Sequence, residues 1–191
     1  MGGYKIKFIL QCQTETWREA EIPDNITFER LQYIIHRLFG FYNAHLWEFR
    51  IPKQSSESSA INLDDIDRFI EDEEAYDVII SEVFDEYNVL VYEYDFGAGW
   101  EIIVHKLEDT KYKNKTALIT DYKGKYNPND DLGGVDIFDE IMEAVGTDDL
   151  YDVLDSYGMN EYYLETMDFE KRYKKGSRIR LNDPVRTISI Y

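Results

Sequence analysis

Apolar positions change period several times along the chain, and each change marks an element. From Tyr4 to Leu10 they alternate, with Tyr4, Ile6, Phe8 and Leu10 on one face and Lys5 and Lys7 on the other. That is the pattern of a strand with one buried face. Thr14 to Ile22 reads as a second strand that pairs back on the first, ended by Pro23-Asp24-Asn25. Phe28, Leu31, Ile34, Ile35, Leu38 and Phe39 then recur at helical spacing. Thr27 is the N-cap this spacing predicts and Gly40 the C-terminal stop. Trp47 to Ile51 reads as a short strand closed by Pro52.

Lys53 to Ala60 is serine-rich with no apolar period, and reads as a loop. Asp64 to Asp77 is acidic, with Ile66, Phe69 and Ile70 spaced for one short helix, and Val78 to Val83 reads as a short strand. The strongest β signal follows, from Val89 to His105. Two runs rich in valine, isoleucine and aromatics meet at Gly97-Ala98-Gly99, which predicts an antiparallel hairpin at the centre of a sheet, its turn made by positive-φ glycines. Beyond a basic turn, Lys111 to Lys115, comes another strand, Thr116 to Asp121, and a loop rich in glycine, proline and asparagine from Lys123 to Gly134. Ile137, Phe138, Ile141 and Val145 form a helical stripe, with Asp136 as N-cap and Gly146 as stop. Thr147 to Ser156 reads as a second short helix capped by Thr147. Tyr162, Tyr163, Leu164 and Phe169 return onto the core, and Thr187 to Tyr191 reads as a last strand. The sum is one α+β domain over residues 1–191 with a mixed, mainly antiparallel sheet, an early ββαβ unit of β-grasp type and C-terminal helices packed on it. Residues 53–85 form an acidic insertion and residues 171–191 a basic end.

Composition narrows the function. Thirty-nine acidic residues against 21 basic ones give a net charge of −18. Phosphate binding is mainly a cationic contribution, so no general affinity for nucleic acid or anionic membranes is expected. Sixteen tyrosines suit sheet faces and interfaces, where the ring is buried and the hydroxyl stays polar. A single cysteine, Cys12, excludes an intrachain disulfide and a multi-cysteine metal site. No apolar run reaches the roughly 20 residues that span a bilayer. Met1-Gly2-Gly3-Tyr4-Lys5 enters the first strand without a signal-peptide core, so a cytoplasmic location is expected.

Tyr92-Glu93-Tyr94-Asp95-Phe96-Gly97 followed by Trp100-Glu101 resembles a known pattern. Trp17-Arg18 and Leu31 precede it in the expected order. Gly40-Phe41, Asn43 and His45-Leu46-Trp47-Glu48-Phe49 are similar to a "GW…SHLHEF" segment, and Asp130-Asp131-Leu132-Gly133-Gly134-Val135 to an "EDCGG" turn before a helix. Together these resemble the Ri-plasmid ORF-3-like proteins, also met as resolvase-like passenger proteins of insertion elements. The resemblance covers roughly residues 4–170, with a poor match near 53–85. It implies an α+β fold and no established biochemical activity. The chain departs from the pattern at Ala98, Ile102 or Ile103, Trp47 and Leu132, and each departure removes a potential ligand or proton carrier.

The site residues this suggests are His45, Glu48, Tyr94, Asp95, Trp100 and Asp131, a polar and aromatic set for an unidentified protein or small molecule. Neither a metal nor any other cofactor is expected: one histidine beside two carboxylates falls short of a typical catalytic zinc set. Gly97-Ala98-Gly99 lacks the third glycine and following helix of a dinucleotide fingerprint. No Gly-x-Ser-x-Gly elbow is present, nor a serine set among arginines as a serine recombinase requires. The leading expectation is therefore a non-catalytic binding or protein-interaction module, with a second copy of the chain among its conceivable partners. Two alternatives stand beside it. One is a metal-assisted hydrolase or nuclease using His45, Glu48 and Asp95. The other is an accessory protein of mobile DNA, acting through Lys171, Arg172, Lys174, Lys175, Arg178 and Arg180.

Overall fold

A computed structural model describes residues 2–53 and 61–181, apart from the side chains of Asp72 and Asp131. The expected last strand, Thr187 to Tyr191, and most of the serine-rich stretch lie outside the described residues. Eight strands form one sheet: β1 (Gly3–Leu10), β2 (Trp17–Pro23), β3 (Trp47–Pro52), β4 (Ile66–Glu71), β5 (Val89–Tyr94), β6 (Trp100–Thr110), β7 (Thr116–Lys123) and β8 (Arg178–Arg180). Their order is β4-β3-β5-β6-β1-β2-β7-β8. The hairpin β5-β6 sits at the centre, as its density of β-branched and aromatic residues requires. Every paired register is antiparallel rather than mixed. The grasp-like arrangement does not form either: β5 and β6 lie between β3 and β1.

The helices are α1 (Phe28–Phe39), α2 (Asp72–Ala75), α3 (Ile80–Phe84), α4 (Val135–Ala144), α5 (Leu150–Ser156), α6 (Glu161–Met167) and α7 (Phe169–Arg172). Thr27 caps α1 by accepting from the Arg30 amide, and Gly40 ends it at φ 84°, where only glycine is unstrained. Helix α1 packs on the sheet through edge-on rings, Phe28 against Phe49 and His36 against Tyr92 and Tyr94. Phe84 of α3 meets Tyr4, Phe138 of α4 meets Trp100, and Phe169 of α7 meets Tyr122. These contacts all fall on one face of the sheet. It is the face of Ile6, Phe8, Leu90, Tyr92, Tyr94, Ile102 and Val104, each at most 2% exposed. Arg18 is buried on it too, donating to the carbonyls of Trp17 and Lys123 and to Asn127 Oδ1, with its guanidinium 4.0 Å from the Phe169 ring. Among the described residues no helix is long and apolar enough to cross a membrane.

Several elements differ from the sequence pattern for identifiable reasons. Ile66 to Ile70 is a strand, because pairing with β3 outweighs a three-four spacing in which only Ile70 is fully buried. Val78 to Val83 instead starts helix α3, whose buried positions are Ile80, Val83 and Phe84. In the central turn Asp95, not Gly97, takes the positive φ (52°), alongside Gly99 at 67°. Gly134, not Asp136, is the N-cap of α4, and Asp149 rather than Thr147 that of α5. Strand β8 arises inside the basic segment, where Ile179 supplies the buried position.

Candidate functional site

The chain places three separate loops at one end of β3, β5 and β6. The first follows α1 and runs from Gly40 to Leu46. The second is the β5-β6 turn, and the third is the 3-10 turn Asp130–Leu132 before α4. Asp130 ties them together. Its Oδ2 accepts the Tyr42 amide at 2.9 Å and the Tyr94 hydroxyl at 2.8 Å. Tyr94 Oη in turn accepts the Ala44 amide at 3.0 Å. Burial first, then Asp130, raises the Tyr94 phenol pKa well above the ordinary tyrosine value. The phenol therefore stays neutral and keeps its proton for Asp130. Gly134 closes the set: a Cβ there would lie 3.0 Å from the Ala98 carbonyl.

Around this knot sits a buried polar core. Tyr92 Oη lies 2.6 Å from Nε2 of His36, and the Gln32 amide nitrogen, which touches the same ring, donates to Asn43 Oδ1 at 2.7 Å. Burial lowers the His36 pKa to about 3, so the ring is neutral. At the surface His45 Nε2 is 3.5 Å from Asp95 Oδ2, and Asp95 Oδ1 accepts the Gly97 amide. Leu46 (71% exposed) and Phe96 (51%) flank that pair.

His45, Tyr94 and Asp95 are thus brought together. Trp100 is the cross-strand neighbour of Tyr94 but fully buried, against Phe41 and Phe138. Glu48 is not part of the group. Trp47 and Phe49 point to the helix side, so Glu48 lies on the opposite face, between Glu71 and Glu93. His45, Glu48 and Asp95 therefore do not form one cluster. Among the described residues no group of three or more His, Cys, Asp or Glu side chains is arranged to hold a metal ion. Asp131 lies in the 3-10 turn by its backbone, its side chain outside the described residues; the carboxylate that ties the loops is Asp130. Cys12 is half-buried in the turn after β1, its thiol pushed up to about 11 by burial and then by Asp139.

Two clefts run along the first turns of α1, and the first adjoins the loops. One, of about 540 Å³, is lined by Gln32, Asn43, Ala44, His45, Leu46 and Trp47 together with Glu29 and Tyr76. The other, of about 750 Å³, shares Glu29 and Tyr76 and continues to Asn25, Ile26, Arg30, Lys113 and Lys115. Tyr76, 60% exposed, stands between them. Sequence reading missed it, because it belongs to an acidic stretch without a clear period. The basic segment is partly engaged by the acidic body: Lys171 Nζ is 3.4 Å from Glu165 and Lys175 Nζ 3.6 Å from Asp121.

The family model of the plasmid pRiA4b ORF-3-like proteins matches residues 3–172. The chain belongs to that family. Three of the segments that carried the resemblance, Gly40 to Phe49, Tyr92 to Glu101 and Asp130 to Val135, meet at the Asp130 knot, whereas Trp17-Arg18 and Leu31 lie elsewhere in the fold. Among solved structures, the ORF-3-like chain is similar to a protein of unknown function, MM3350, from Methanosarcina mazei Go1. The identity is 22% and the TM-score 0.65, over 83% of this chain and 90% of that one. At that identity the likeness speaks for the fold of this ORF-3-like protein alone. No curated protein matches it.

Proposed function

We propose that this ORF-3-like protein is a non-catalytic binding module whose partner, a protein segment, lies in the trough along α1. The observation that carries this reading is the adjoining of the two clefts at Glu29 and Tyr76, with the tied loops at one end. Their volumes fall in the range of ligand sites. The trough is longer than a small polar molecule needs, and its character changes along its length. Near His45 it is polar; at the far end Ile26 and Leu181 meet Lys113 and Lys115. An extended segment with an acidic residue at the lysine end suits that gradient. The cross-links through Asp130 and Tyr94 hold one wall in place before binding, which lowers the ordering cost.

Selection of a random 12-residue peptide library on the intact protein tests this. Enriched peptides are expected to lose at least tenfold in affinity on Tyr76→Ala and on Lys113→Glu/Lys115→Glu. Failure to enrich any peptide, or enriched peptides indifferent to both changes, overturns the reading.

A further inference from the structure

The face of the sheet turned away from the helices carries an apolar row that crosses six strands. Register alone defines it. Phe69 on β4 is opposite Arg50 on β3, and Arg50 is opposite Val91 on β5. Val91 faces Ile103 on β6, Ile103 faces Ile9 on β1, and Ile9 faces Trp17 on β2. Arg50 is the one polar member. Phe69 is 48% exposed and Ile103, Ile9 and Trp17 are half-buried, while Val91 between them is only 1% exposed. Among the described residues no helix packs on this face. Soluble sheets with one open face normally alternate apolar inward with polar outward. Consecutive outward apolar residues aligned across strands break that rule, and such patches mark interaction surfaces.

A second row runs parallel to the first, two residues further along the strands. Glu71 is opposite Glu48, Glu48 opposite Glu93, and Glu93 opposite Glu101. Arg50 answers Glu93 and Glu101. Glu48 and Glu71 have no ion pair among the described residues. Burial, followed by Glu93, raises the pKa of Glu48, with Arg50 opposing and Glu71 adding. The row carries more negative charge than the protein compensates.

We infer that this open face is a docking surface for a basic amphipathic helix of a partner protein, apolar residues along the Phe69-to-Trp17 row and lysines or arginines over the Glu71-to-Glu101 row. Five strand spacings give the row a length of about 24 Å. About 16 helical residues cover that distance, with anchors at three- and four-residue spacing. Charge selects the occupant. Two copies at −18 each repel, whereas a cationic segment is drawn in. The surface is separate from the α1 trough, which lies on the helix side.

The probe is a fluorescein-labelled 16-residue leucine–lysine peptide patterned as an amphipathic helix, titrated into the full chain at 150 mM salt and followed by anisotropy. Saturable one-to-one binding is expected. It should weaken at least tenfold with Phe69→Ser/Ile103→Ser, with Glu48→Lys/Glu71→Lys, and when the peptide is shuffled to break its stripe. Tyr76→Ala should leave it unchanged, which separates this surface from the trough. Phe69→Ser alone, at an exposed position, serves if the double variant fails to fold. Equal binding of the shuffled peptide, or indifference to the row substitutions, overturns the inference as general charge attraction. A dimer of the free protein that Ile103→Ser converts to monomer also overturns it, assigning the face to a second copy.

Discussion

His36 shows how one residue links the core to the loops. Its ring is 3% exposed and its pKa is lowered to about 3, against an ordinary value near 6.5 in the unfolded chain. The unfolded state therefore binds the extra proton first as pH falls. Stability from this residue is full above about pH 6.5 and declines toward pH 3. At pH 5 the loss amounts to about 2 kcal/mol. Urea unfolding at pH 7 and pH 5 checks this, with His36→Gln cancelling the other titrating groups. The wild-type protein should lose about 2 kcal/mol more between the two pH values than the variant. Equal losses would mean that the ring is already protonated in the fold. The same residue marks a limit of the sequence. His36 stands on the helical stripe between Ile35 and Leu38, but nothing local says that Tyr92, 56 residues on, will meet it. The Asp130-Asp131 pair is a similar case. Two adjacent carboxylates before a helix are equivalent as text, and only the path of the loop decides which one reaches Tyr42 and Tyr94.

At the scale of elements, β3 has two faces with opposite chemistry. Trp47 and Phe49 enter the core, while Glu48 is pressed between Glu71 and Glu93 on neighbouring strands. Its carboxyl pKa is raised in the fold, so the unfolded chain ionises first as pH rises. The fold then carries a penalty at pH 7 that vanishes once both states are protonated at low pH. Like charges opposite one another in a sheet cost on the order of 0.5 kcal/mol. Glu48→Gln should therefore raise the melting temperature at pH 7 and leave it unchanged at pH 3. Scanning calorimetry at the two pH values decides it, and a lower melting temperature at pH 7 would contradict the crowding. Period told which elements were legible. β1 with its strict alternation, β5 with its continuous β-branched and aromatic run, and the stripe of α1 could be read directly. The short elements of residues 66–84 could not. Their few apolar residues fit either period, and the choice was made by the edge of β3 and the floor beneath α1. The face of Glu48 was readable once β3 was read, yet its nearness to His45 in sequence suggested a cluster that the pleat forbids.

For the whole molecule the dominant quantity is charge. A net −18 on 191 residues makes the folded state repel itself, and the acids are not spread evenly. They crowd in residues 64–86 and 136–170, while Lys171 and Lys175 of the basic segment are partly spent on Glu165 and Asp121. Two opposing effects of salt follow. Screening weakens ion pairs such as Lys5 with Glu19, and it also weakens repulsion across the whole surface. Exposed pairs contribute little individually, typically below about 1 kcal/mol, and acids outnumber bases by nearly two to one. Repulsion should win. Raising sodium chloride from 10 to 300 mM at pH 7 is expected to lift the melting temperature by about 2–4 °C, the shift that about 1 kcal/mol produces in a chain of this size. A basic peptide held on the open face should give the same protection at low salt and add little at high salt, because both act on one store of repulsion. A melting temperature that falls with salt would show that the ion pairs outweigh the excess, and would remove charge as the reason to expect a cationic partner.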